Sequence, residues 1–69
     1  MAKYINDNGD MIETNGSVYT KIIDGITFVS TDISKWSNNA EKWIDNDIAA
    51  GYYQGFKKVK ENQPIGEAN

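Results

Sequence analysis

The sequence predicts a small α+β domain: an antiparallel β-meander of three or four strands over residues 1–30, then one long or broken amphipathic helix over 31–61, then a polar tail over 62–69. Three observations carry that prediction. The first thirty residues contain Asn8-Gly9, Asn15-Gly16 and Asp24-Gly25, the dipeptides that tight hairpins use because their central positions need positive φ. The chain has no Leu, so its core must come from Ile, Val and aromatic residues, which fit pleated strands. After Thr31 the apolar spacing changes from two to between three and four, the period of a helix.

The strands follow from the runs between the turns. Lys3–Asn6, Met11–Thr14, Val18–Ile23 and Ile26–Ser30 are short and β-prone, and sequential strands joined by tight turns form a meander. In the third and fourth runs, Val18, Thr20 and Ile22 alternate with Tyr19, Lys21 and Ile23, while Ile26 and Phe28 alternate with Thr27 and Val29. Both faces near Asp24-Gly25 are therefore apolar, more than a sheet covered on one side requires.

The helical segment has two candidate starts. Thr31 or Asp32 suits an N-cap, and Asn38 with Glu41 three residues on suits a capping box. Acidic Asp32, Glu41, Asp45 and Asp47 precede Lys57, Lys58 and Lys60, the order a helix dipole favours. Asn62, Gln63 and Pro64 end the segment. On a helical projection Ile33, Ala40, Ile44, Ile48, Tyr52 and Val59 make one stripe, and Trp36, Trp43 and Ala50 a second, with Tyr53 further round. An unbroken helix over 32–61 would be about 45 Å long, against a four-stranded sheet below about 20 Å on a side. The helix must break, at Ser37-Asn38-Asn39 or Gly51, or overhang onto another chain.

Composition narrows function. With 69 residues the chain is one domain with a core that supplies roughly 3–5 kcal/mol, and domains of this size usually rely on disulfides, a metal or a partner. There is no Cys and no His, which removes disulfides and a zinc site, so a protein partner, as a homo-oligomer or within a larger assembly, is the expected support. The net charge is −3 and there is no Arg, a poor footprint for nucleic acid. No apolar stretch approaches a membrane span. Heavy use of Ile, Asn and Lys, without Leu or Arg, is the bias of AT-rich codons and points to a low-GC bacterium or its phage. Synthesis in the host cytoplasm, with the virion as a further location, is the matching expectation.

No catalytic or cofactor site is expected. Asn6-Asp7-Asn8-Gly9-Asp10 with Glu13 offers oxygen ligands at short spacing, but Met11 stands where a calcium loop needs Gly, leaving a solvated turn. Asp45 and Asp47 diverge on a helix, and a nucleophile would have no His or Cys beside it. The strongest constellation is aromatic: Trp36, Trp43, Tyr52, Tyr53 and Phe56. These are the core of a Leu-free domain or, for part of the set, a partner interface, where Trp and Tyr dominate.

Two local resemblances end in hairpin chemistry. Tyr4 to Met11 resembles the turn of a choline-binding repeat but lacks that repeat's Gly-Trp pair. Residues 18–31 are similar to the hairpins of phage fibre and fibritin trimerisation modules but depart from them at the key Trp. Neither assigns a family. The resulting expectation is a non-enzymatic binding or assembly protein, a small phage virion or decoration subunit; a small phage-encoded inhibitor of a host enzyme or defence complex is the alternative. For the best hairpin, Gly25→Val places a β-branched residue at positive φ and lowers the melting temperature; an unchanged melting temperature refutes the turn.

Overall fold

Each predicted turn forms, and no two form alike. The computed structural model describes residues 1–59; strands β1 (Lys3–Ile5), β2 (Met11–Asn15), β3 (Val18–Ile23) and β4 (Thr27–Asp32) make the meander. At Asp24-Gly25 both residues have positive φ, 58° and 74°, and the Ile26 N–H closes onto the Ile23 carbonyl, the mirror-image turn that suits strand twist. Asn15 instead ends β2 and pairs with Val18, so the two-residue turn is Gly16-Ser17, with only its glycine at positive φ. The first turn is a longer loop over 6–10 rather than a two-residue hairpin. Its organiser is Asn6, whose Oδ1 accepts from the backbone N–H groups of Asn8 and Asp10. Gly9 takes the positive φ.

The helix is where expectation and structure part. Only Ala40–Ala49 is helical, forming α1, about 15 Å of helix instead of a segment reaching residue 61. Neither proposed breakpoint breaks a longer helix, because no helix precedes Ser37 or follows Gly51 among the described residues; the two sites are simply the ends of α1. Thr31 and Asp32 do not cap a helix, because they complete β4 opposite Tyr19 and Val18. The cap is Asn39, one residue past Asn38, and its Oδ1 accepts from the Lys42 N–H. At the other end Gly51 has a φ of 91°; its N–H reaches the Ile48 carbonyl while the Tyr52 N–H reaches that of Asp47, which is the Schellman closure.

Beyond Gly51 the chain turns again at Gly55 and enters a strand absent from the sequence expectation, β5 (Lys57–Val59). Lys57, Lys58 and Val59 therefore do not complete a helix; they pair antiparallel with Ile5, Tyr4 and Lys3. The sheet is five-stranded, in the order β4-β3-β2-β1-β5, and α1 carries the chain from one edge to the other. Lys60 and the predicted stop at Asn62–Pro64, with the polar tail, lie outside the described residues.

One face of this sheet holds the core. Residues opposite each other in a ladder share a face, so Lys58, Tyr4, Ile12, Lys21 and Val29 form one row across all five strands. Tyr4 and Ile12, with Ala2 and Ile44 of α1, make the buried cluster, and Tyr19, Trp43, Ile48, Tyr53 and Phe56 pack half-buried around it. Thr14 is the buried polar residue there. Its Oγ1 accepts from the Ala2 N–H and donates to the Ala2 carbonyl, so the Thr14 hydroxyl and the Ala2 N–H are both paired. The connection from β4 is pinned to the Gly16-Ser17 turn, where Ile33 N–H donates to Ser17 and Ala40 N–H to Gly16.

The helix is locked by Tyr4. Its fully buried ring sits under α1, and its hydroxyl donates to Asp45 Oδ1 at 2.7 Å, with the Glu41 carbonyl at 3.2 Å. Lys58 Nζ from β5 closes the cluster on Glu41 at 2.8 Å and on Asp45 at 3.0 Å. Burial works to raise the Asp45 carboxyl pKa, but hydrogen bonds from Tyr4 and Lys58 outweigh it and hold the group below the usual carboxylate range. Burial, then the bond to Asp45, pushes the Tyr4 hydroxyl well up, and the Glu41 and Asp45 bonds do the same for Lys58.

Two outcomes follow from that cluster. Tyr4→Phe keeps the ring and loses a hydrogen bond to a charged group, costing about 1.5–3 kcal/mol in denaturant unfolding. A carboxylate with a lowered folded pKa contributes stability above its unfolded pKa and loses it as pH falls through the folded one; a Tyr or Lys with a raised folded pKa loses its contribution as pH rises. Stability therefore declines below about pH 4 and above about pH 10, and Asp45→Asn flattens the acid limb.

Candidate functional site

The sheet face turned away from α1 carries a row of apolar residues. Register places Lys57, Ile5, Met11, Ile22 and Phe28 in one row across the five strands. Ile22, paired between Met11 and Phe28, is only 9% exposed although it lies outside the core cluster. Phe28 is 65% exposed, and Ile5 and Val59 are also exposed on this face. The next row is Val59, Lys3, Glu13, Thr20 and Ser30, with a Lys3–Glu13 ion pair at 3.7 Å and a Thr20–Ser30 hydroxyl bond at 2.8 Å. The apolar row is thus bordered along one side by a row whose polar groups are paired with each other.

The two sheet edges differ. β5 presents Lys57 and Lys58 on its three-residue strand, the charged, short form that resists strand pairing. β4 is six residues long, is uncharged from Thr27 to Thr31, and is exposed over most of its length. Its only charged residue is Asp32, whose carboxyl accepts the Ser34 N–H and is held below its ordinary range by that bond.

The five aromatic residues singled out from the sequence divide into two groups. Trp43, Tyr53 and Phe56 pack half-buried at the margin of the core, and Tyr53 meets Phe56 edge-on at 6.0 Å. Burial, followed by the neighbouring Tyr19, pushes the Tyr53 hydroxyl up to about 12. Trp36 and Tyr52 are exposed, at 69% and 75%. Trp36 leans on Trp43 with ring centroids 6.4 Å apart, so an exposed indole extends a half-buried one on the helix side of the domain.

The apolar row on the opposite face was not singled out from the sequence, yet its signal was present. The excess of apolar residues on both faces of the 18–30 hairpin is the trace of Ile22 and Phe28. Ile5 and Met11 join them only through register, which a one-residue slip would reverse.

Among the described residues the ionisable groups that converge most closely are Tyr4, Glu41, Asp45 and Lys58, which bond to one another between β1, α1 and β5. A shallow cavity of about 550 Å³ lies beside the Gly16-Ser17 turn, between Met1, Glu13, Asn15 and Val18. Its one carboxylate is Glu13, held toward Lys3. Among the described residues no three carboxylates gather as a metal site, and no helix is long and apolar enough to cross a membrane. Comparison of the chain with protein-family models, curated proteins and solved structures finds no match.

The indole pair separates by mutation. Trp43→Ala costs roughly 3 kcal/mol, the low end for a core Trp, whereas Trp36→Ala stays within about 0.5 kcal/mol, as surface changes do. Urea unfolding of both variants checks this, and equal costs would contradict the placement of Trp36.

Proposed function

We propose that this chain is a non-enzymatic protein-binding and assembly subunit, and that it binds through the sheet face opposite its helix. The observation that carries this reading is the row Ile5, Met11, Ile22 and Phe28, continuous across four strands and closed at one end by Lys57. Burying one large apolar side chain of this kind contributes about 1.5–3 kcal/mol, so leaving several uncovered is costly for a domain whose core is small. The exposed Trp36, stacked on Trp43, supplies a second aromatic contact on the other side. Phage origin, suggested by codon bias, makes a virion or decoration subunit the natural setting.

An inhibitor of a host enzyme would use the same face differently, and native mass separates the two. Assembly predicts that the purified chain sediments above 7.7 kDa with a concentration-dependent mass. Ile5→Lys, at the end of the row beside Lys57, weakens association while leaving the far-ultraviolet spectrum unchanged. A concentration-independent monomer that captures one host protein would favour the inhibitor. A monomer that captures nothing and is indifferent to Ile5→Lys would overturn the binding face itself.

A further inference from the structure

We infer that two copies of this chain join edge to edge, β4 against β4 and antiparallel, with Val29 of each copy on the two-fold axis. The inference rests on the assembly reading and names its partner as a second copy of the same chain. Three observations support it. Among the described residues β4 forms an edge of the sheet, pairing with β3 alone, and it lacks the lysines that guard β5. It is exposed from Thr27 to Ser30. Its sequence, Thr27-Phe28-Val29-Ser30-Thr31, is nearly symmetric about Val29. An interface on a two-fold axis must be self-complementary, and this strand is: Thr27 meets the partner's Thr31, Val29 meets the partner's Val29, and Phe28 meets the partner's Ser30.

Overlap and charge select that register among the neighbouring ones. Residues that pair across the axis must share a face, so the axis passes through a residue and moves in whole steps. With Phe28 on the axis, the two strands overlap only from Thr27 to Val29, because Asp24–Ile26 form the turn that precedes β4. With Ser30 on the axis, each Phe28 faces an Asp32. With Val29 on the axis the only acidic residue in the paired stretch, Asp32, faces Ile26, and all five uncharged positions are matched. The chain carries a net charge of −3, so two copies repel in general, and this uncharged edge lets them approach without facing acids. Pairing also brings the two Phe28 rings onto a diagonal of the same face, within reach of aromatic side chains. The apolar rows of the two copies then meet at their Phe28 ends.

The chain has no cysteine, which gives a direct test on the full-length protein. Facing Cα atoms in such a pair lie about 5 Å apart, inside the range a disulfide spans. Val29→Cys, oxidised with copper phenanthroline, is expected to give a covalent dimer on a non-reducing gel. Thr31→Cys, four positions out of register with its own mate, is expected to remain monomeric. Val29→Glu keeps the fold, since Val29 faces Lys21 within the chain, but sets two carboxylates against each other on the axis. It should weaken dimerisation in sedimentation equilibrium by about tenfold or more with the melting temperature of the monomer preserved. Oligomerisation unchanged by Val29→Glu, or no cross-link at Val29, overturns the edge pairing and leaves the assembly reading intact. A wild-type monomer at millimolar concentration overturns the edge pairing and, with it, self-assembly, while capture of a different protein would still uphold the binding face.

Discussion

The fold turns on a single residue, Tyr4. Its ring is the largest side chain wholly removed from solvent, and its hydroxyl is bound to the helix. Because β1 lies between β2 and β5, this one side chain touches the constraints on both ends of the chain. Lys58 reaches over from β5 to the same two carboxylates, and its ammonium lies 5.6 Å from the Tyr4 ring centre. A buried phenol that donates to a carboxylate is worth more than a neutral pair, and it sets the position of α1 along the sheet.

Turn chemistry supplies the second constraint. Where the chain reverses after α1, Gly51 and Gly55 both adopt positive φ, a conformation open to glycine at little cost. The first glycine satisfies the carbonyls at the helix end; the second, through the turn at Tyr53–Phe56, directs the chain back toward the sheet edge. The acidic residues of the helix are consequently used against a strand lysine. Dipole compensation at a C-terminus plays no part, and the last turn of α1 contains no basic residue.

A sheet with one helix on it has two faces and one cover. The small core beneath α1 uses Tyr4, Ile12 and Ile44, while the other face carries an apolar row whose ends, Ile5 and Phe28, are exposed. Domains of this size have little stability to spare, which is the physical ground for proposing that a partner covers this row. The uncharged edge at β4 lies at the Phe28 end of that row. Under the proposed reading, face and edge are the surfaces offered to a partner, and both are separate from the aromatic margin around Trp36.

The sequence by itself determined the meander. Alternation in Val18–Ile23, the absence of Leu and three glycine turns were enough, since these are local properties of neighbouring residues. It also marked the neighbourhoods where α1 starts and stops, at Ser37–Asn39 and Gly51, and an excess of apolar residues on both hairpin faces. Only the tertiary structure decided that the helix is confined between them, that Lys57–Val59 is a strand, and that Ile5, Met11, Ile22 and Phe28 share one row. Strand β5 is three residues long and exposed, so no periodicity marks it; it exists because β1 offers an open edge and Lys58 finds Glu41 and Asp45. The row depends in the same way on pairing between residues distant in the chain, and register is a property of the assembled sheet.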